Sequence, residues 1–183
     1  MLNTFVVYVE NKPGVLTRVA SLFRRRAFNI DSLTVGRTEK PEVSRMTITV
    51  DADHDQARRI EANLYKLVNV LLVENITTEP AIVRDLAMIK VAATHGGRSH
   101  VLELASVFRA RVVDVAPESL IMEITGDEDK IDGLLEVLRP YGILDMVRTG
   151  IVAMRRGSKP SSFGRSASAM PQRVADDDVQ QSV

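Results

Sequence analysis

TFVVYVENKPGVLTRVASLF, Thr4 to Phe23, is the stretch from which the rest of the chain can be read. Thr4 to Val9 is β-branched and aromatic, as a strand requires. Val15, Leu16, Val19, Leu22 and Phe23 then fall at helical spacing, with Arg18, Arg24 and Arg25 on the opposite side. Pro13 suits the first turn of that helix, where its missing N–H costs nothing. The strand is apolar on both sides, Phe5, Val7 and Val9 on one and Val6 and Tyr8 on the other. Helices cover only one face of a small sheet, so the second face is expected to pack against another subunit.

Working outward, Ile30 to Thr38 reads as a strand, and beyond the turn-prone Glu39, Lys40 and Pro41 the segment Arg45 to Val50 alternates, with Met46, Ile48 and Val50 on one face. Ala57, Ile60, Leu64 and Leu67 mark a second amphipathic helix, and Val68 to Thr77 returns to strand composition. The order is βαββαβ. It recurs: Asp85 to Ala93 is strand-like, Val101, Leu104, Ala105 and Phe108 form a helical stripe, and two strands flank a turn near Pro117 and Glu118. Ile131, Leu134, Leu135 and Leu138 make the last helix, capped by Asp127 and ended by Pro140, before a β-rich stretch from Ile143 to Met154 broken near Gly150. The chain is therefore expected to be α+β, two ferredoxin-like βαββαβ domains in tandem at 1–78 and 79–156. From Arg156 the composition turns to serine, arginine, proline and glutamine, and 157–183 reads as a disordered, nearly neutral tail.

Composition narrows the function. The 183 residues carry 24 Lys and Arg against 24 Asp and Glu, so no net field draws the chain onto nucleic acid or an acidic membrane. Aromatic residues make up 4%, too few for base-stacking platforms, and the aromatic strand motifs of RNA-binding βαββαβ domains are absent. The chain has no cysteine, which removes disulfides, thiolate metal sites and thiol catalysis and fits a cytoplasmic setting. The apolar run Phe5 to Val9 is halted by Glu10, Asn11, Lys12 and Pro13, too soon for a signal segment or a membrane span.

NKPGVL, Asn11 to Leu16, is the most informative motif. The first N–H groups of a helix lack partners and carry partial positive charge, so a carboxylate can settle there. Gly14 lets a ligand approach the backbone, and Asn11 offers a donor and an acceptor to an α-amino acid. On spacing alone, however, an ordinary strand-to-helix turn explains the stretch better. Asp51, Asp53, His54 and Asp55 could suggest metal ligands, but acidic residues also favour the amino end of the helix that starts there. His95, Gly96 and Gly97 lack the lysine of a phosphate loop and read as a turn, and Arg24 to Arg26 reads as a solvated helix end. No nucleophile motif, acid–base pair or dinucleotide fingerprint is visible, so no catalytic residue is assigned.

The stretch ENKPGVLTRVASLFRRRAFNIDSLTVGRTEKPEVSRMTI, Glu10 to Ile48, resembles the ACT domain of the acetolactate synthase small subunit, with NIDSLTVG and SRMTI its more specific parts. RVVDVAPESLIMEITG, Arg111 to Gly126, is similar to that family's carboxy-terminal domain, and the resemblance runs from Met1 to about Arg156. It implies an ACT domain over 1–78 that pairs with a second copy across a two-fold axis and binds valine at the interface. Carried over, one chain supplies Asn11, Gly14, Val15 and Leu16 and the partner chain Asn29 and Ile30. Lys12 and Pro13 stand where the family varies. The resemblance also implies a catalytic large subunit as partner, carrying thiamine diphosphate, magnesium and FAD, with no cofactor on this chain. That enzyme would be activated by this subunit and made sensitive to valine, in branched-chain amino acid biosynthesis. The alternatives are a free-standing ACT-type sensor with another target, which no helix-turn-helix segment supports, and an enzyme with unrecognised residues.

Overall fold

The computed structural model describes residues 1–94 and 96–157. The first half contains β1 (Leu2–Glu10), α1 (Val15–Arg25), β2 (Ile30–Arg37), β3 (Val43–Asp51), α2 (His54–Leu64) and β4 (Val70–Asn75). Its strands form an antiparallel sheet in the order β2-β3-β1-β4. The second half contains β5 (Ala81–Ala92), α3 (Arg98–Val107), β6 (Arg111–Val115), β7 (Ser119–Gly126), α4 (Glu128–Leu138), β8 (Ile143–Arg148) and β9 (Val152–Arg155). The order β6-β7-β5-β8 repeats that of the first sheet, and β9 adds to β5. The expected α+β pair of ferredoxin-like units is therefore present. The expectation for the tail falls on 158–183, outside the described residues, as does His95.

Local chemistry accounts for the helices. Asp53 starts α2 with a reciprocal cap: its carboxylate accepts from the Gln56 N–H at 2.8 Å while the Gln56 side chain accepts from the Asp53 N–H at 2.9 Å. Such a cap contributes about 1 kcal/mol, and it gives the acidic run at Asp51 to Asp55 a structural task. Asp127 caps α4 by accepting from the Lys130 N–H at 3.1 Å. Arg24 and Arg25 lie in the last turn of α1, where cations complement the carbonyl end, but Arg26 is more than a solvated end: its guanidinium donates to Asn63 Oδ1 on α2 at 3.1 Å.

Each sheet buries one face under its helices. Phe5, Val7, Val9, Met46 and Ile48 meet Val19, Phe23, Ile60 and Leu64 in the first half. Ala87, Ile89, Val91, Met122 and Ile124 meet Val101, Ile131, Leu134 and Leu138 in the second.

Four further expectations need correction. Pro13 lies in the turn before α1 and not in its first helical turn, because Gly14 takes a left-handed conformation and delays the helix to Val15. Leu67 follows the end of α2 yet still packs on the first core, so a helical stripe was extended over a residue held by tertiary contact. Strand β5 starts at Ala81, before Asp85, because its first residues pair with β9: Ala81 faces Arg155 and Arg84 faces Val152. Finally, the second face of β1 is covered by its own chain. Val6 and Tyr8 pack with Val43, Ile76 and Ala153, flanked by Ala81, Val83 and Ile151. The β5–β9 ribbon is thus the lid over the first sheet, and full burial of a valine such as Val6 contributes about 1.5 to 3 kcal/mol.

Candidate functional site

The turn from β1 into α1 is shaped by Gly14, whose φ of 81° and ψ of −6° lie in the left-handed region that favours glycine. A Cβ there would meet nothing within 4 Å, so the requirement is conformational and the space beside it is open. No side chain caps the N–H groups of the first turn of α1, and no acidic residue stands in that turn. The Val15 N–H donates to the Lys12 carbonyl at 3.4 Å, and no side chain of the first turn neutralises the positive end of the helix. Val15 is buried in the first core, whereas Leu16 is 45% exposed next to the turn. Asn11 is exposed; its backbone N–H donates to the Glu42 carbonyl at 2.7 Å and its Nδ2 donates to the Pro41 carbonyl at 2.9 Å. These two bonds hold the residue against the β2–β3 turn and use one of the two side-chain N–H groups, leaving the other N–H to donate and Oδ1 to accept.

A polar chain that the sequence did not disclose supports this turn. Arg18 Nη1 donates to Asn69 Oδ1 at 2.6 Å, Asn69 Nδ2 donates to Glu10 Oε2 at 2.5 Å, and Lys12 Nζ lies 3.2 Å from the same oxygen. The Asn69 hydrogen bond, helped by Lys12, holds the Glu10 carboxyl below its ordinary range. Lys12 and Arg18 are thus both tied into one chain with Glu10 and Asn69. Arg18 was legible only as the polar side of α1, and its partner Asn69 is remote in sequence.

Asn29 and Ile30 sit at the other end of the same sheet. Asn29 is exposed in the loop before β2, and Ile30 is half-buried against the first core. Ile30 pairs with Val50, and Val50 with Asn3 at the start of β1, whereas Asn11 follows Glu10, which pairs with Val43 at the far end. The span from Asn3 to Glu10 is about 23 Å at roughly 3.3 Å per residue. One chain therefore brings Asn11, Gly14, Val15 and Leu16 together and keeps Asn29 and Ile30 away from them.

The edge strand β2 changes face at this end. Its register shifts between Ile30 and Ser32, so Asp31 is an extra residue. Ile30 pairs with Val50 on the helix side, whereas Ser32 pairs with Thr49 and Thr34 with Thr47 on the side facing the second half of the chain. There the Ile151 N–H donates to Ser32 Oγ at 2.9 Å, and Thr34 Oγ1 donates to the Thr149 carbonyl at 3.4 Å.

Comparison with known proteins adds the following. The family described as the small subunit of acetolactate synthase matches residues 84–157, and the family described as the AHAS small subunit-like ACT domain matches residues 5–72. The probable acetolactate synthase small subunit of Archaeoglobus fulgidus is 50% identical over 159 residues, covering 87% of this chain and 99% of that protein. The acetolactate synthase small subunit of Mycobacterium bovis is 48% identical over 157 residues, covering 86% of this chain and 94% of that protein. The crystal structure of the acetolactate synthase small subunit from Thermotoga maritima superposes with a TM-score of 0.81 at 38% identity, covering 87% of this chain and 99% of that one. No helix among the described residues is long and apolar enough to cross a membrane.

Proposed function

The chain belongs to the acetolactate synthase small-subunit family and carries its ACT domain, and from that premise we propose that it senses valine and confers feedback inhibition on the catalytic large subunit that it also activates. The observation that carries the reading is the open amino end of α1. Its first-turn N–H groups have no side-chain cap, and Gly14 keeps the approach clear. This is the chemistry that receives a small carboxylate. Leu16, exposed at the same turn, offers an apolar wall to a branched side chain.

The second wall comes from another copy. Asn29 and Ile30 lie at the opposite end of a strand about 23 Å long, so the family arrangement calls for the partner of a two-fold dimer, formed through the ACT domain. Strand β2 lies at the sheet edge, with Val35 42% exposed, and is free to pair with its equivalent. The chain contributes no catalytic residue and no cofactor in this reading. Thiamine diphosphate, magnesium and FAD belong to the large subunit, which condenses 2-oxoacids in the branch leading to valine, leucine and isoleucine.

Valine acts only by binding the low-activity arrangement of the complex better than the active one, and a difference of about 1 to 3 kcal/mol suffices for a useful response. The test is calorimetry of the purified chain against valine, leucine and isoleucine, paired with activity of the reconstituted complex. Binding of valine together with a valine-dependent fall in activity supports the reading. An isotherm flat for all three amino acids removes it.

A further inference from the structure

The bonds between β2 and the loop joining β8 to β9 have a geometry that independent domains would not need. Thr149 is fastened to β5 twice, its N–H donating to the Leu86 carbonyl at 3.0 Å and its Oγ1 accepting from the Leu86 N–H at 3.2 Å, while its single hydroxyl proton is shared between Asp85 Oδ1 at 3.1 Å and the Gly150 carbonyl at 3.0 Å. Asp85 is itself buried. Gly150 follows with φ 85°, and a Cβ on it would lie 2.6 Å from Ser32 Oγ and 3.1 Å from Thr34 Oγ1. Ile151 then donates its N–H to Ser32 Oγ. The loop is thus anchored rigidly on the second sheet and pressed against β2 at the one residue with no side chain.

On the other side of the joint, Ser32 is separated from Ile30 only by the extra residue Asp31. Without that bulge Ile30 and Ser32 would point to the same face. With it, Ile30 meets the first core on the helix side and Ser32 meets the second half of the chain. Beside the contact lies an open cleft of about 380 Å³ between the halves, lined by Asp31, Leu33, Asp85 and Arg148. At this end the two halves therefore touch through defined hydrogen bonds beside an open cleft, whereas the neighbouring Ile151 and Ala153 pack into the apolar cluster under Val6 and Tyr8.

We propose that Ser32, Thr34, Thr149, Gly150 and Ile151 form the joint that carries the effector state of the ACT domain to the carboxy-terminal domain. A ligand that shifts Ile30 moves the bulge, the bulge moves Ser32, and Ser32 moves a loop fixed to β5. The joint rests on the effector reading above, and the two fail in different measurements.

The test uses the double variant Ser32→Ala with Thr34→Val in the full chain, reconstituted with the large subunit. The variant is expected to bind valine within about threefold of the parent and to activate the enzyme as the parent does. Its ratio of activity without to with saturating valine falls below about twofold, where coupled sites commonly give 5-fold or more. Parent-like inhibition overturns the joint. Loss of valine binding also overturns it, by placing these residues in the pocket, and loss of activation reduces the contact to a structural one. A second measurement stays on the parent complex: valine is expected to change hydrogen exchange at the Ile151 amide, and an unchanged rate overturns the joint. A parent isotherm flat for all branched-chain amino acids removes the effector reading itself, and the joint with it.

Discussion

Gly14→Asp separates the ligand seat from the fold that holds it. The backbone at Gly14 is left-handed, which costs most L-residues roughly 1 to 2 kcal/mol, with aspartate among the better tolerated. No atom lies within 4 Å of a Cβ there, so no steric cost is added. Aspartate normally caps a helix from an extended conformation, which this turn does not provide, although a negative charge near the helix start returns about 0.3 to 1 kcal/mol. The net loss is then about 1 kcal/mol, or roughly 2 to 4 °C in melting temperature for a chain of this size. The effect on valine is larger. A fixed carboxylate about 4 Å from the ligand's own carboxylate repels it by roughly 1 to 4 kcal/mol across the dielectric range of a protein surface, a weakening of about fivefold to almost a thousandfold. Calorimetry, thermal melts and valine titration of the reconstituted enzyme read the three quantities separately. Gly14→Ala is the control, with the backbone cost and no charge. The expected pattern is preserved activation by both variants and strongly weakened valine binding in Gly14→Asp alone. Parent-like titration by Gly14→Asp, or equal loss in Gly14→Ala, would refute the charge argument.

Three further outcomes are expected. Mixing a Gly14→Asp chain with an Asn29→Ala chain should restore part of the valine response that each variant lacks alone, since a two-fold dimer of the two contains one intact composite pocket; no recovery in the mixed complex counts against a shared site. Arg98→Ala should lower stability by about 1 to 3 kcal/mol in chemical denaturation, because the guanidinium donates to the carbonyls of Ala93, Ala116 and Pro117 and holds the β6–β7 turn to the start of α3; a variant with an unshifted midpoint would contradict that role. The Glu10 carboxyl is held below its ordinary value first by Asn69 and then by Lys12, so its contribution to stability is present above the ordinary glutamate range and is lost as pH falls through the lowered value. Asn69→Ala should raise the Glu10 titration observed by NMR, and an unmoved curve would show that Asn69 is not the cause.

Much of the architecture could be read locally because each element announces itself within a few residues. The alternation at Met46, Ile48 and Val50, the apolar stripe Val15 to Phe23, and Asp127 three residues before Lys130 all write their structure into adjacent positions. What escaped depends on contacts between distant segments. Ala81 to Arg84 becomes strand only because Val152 to Arg155 pairs with it, and Val6 and Tyr8 are covered by Ala153, which no period in the sequence connects to them. The glycine turn between a strand and a helix was legible for the same local reason, although the family resemblance and not its spacing marked it as a binding site. Its support was not, because Asn69 reaches Glu10 and Arg18 across the sheet. The bulge at Asp31 likewise has no signal in NIDSLTVG; it exists because Ser32 must meet Ile151 while Ile30 stays in the first core.

The lid over Val6 and Tyr8 has a consequence for synthesis. A ribosome adding roughly 5 to 20 residues per second needs about 4 to 16 seconds to travel from the end of β4 to the last strand of the ribbon. During that interval the newborn first sheet can close its helix side but keeps a greasy underside, waiting for a residue nearly the whole chain away. Translation order thus leaves a window in which holdase chaperones compete with premature self-association, and the window closes only when Ala153 arrives.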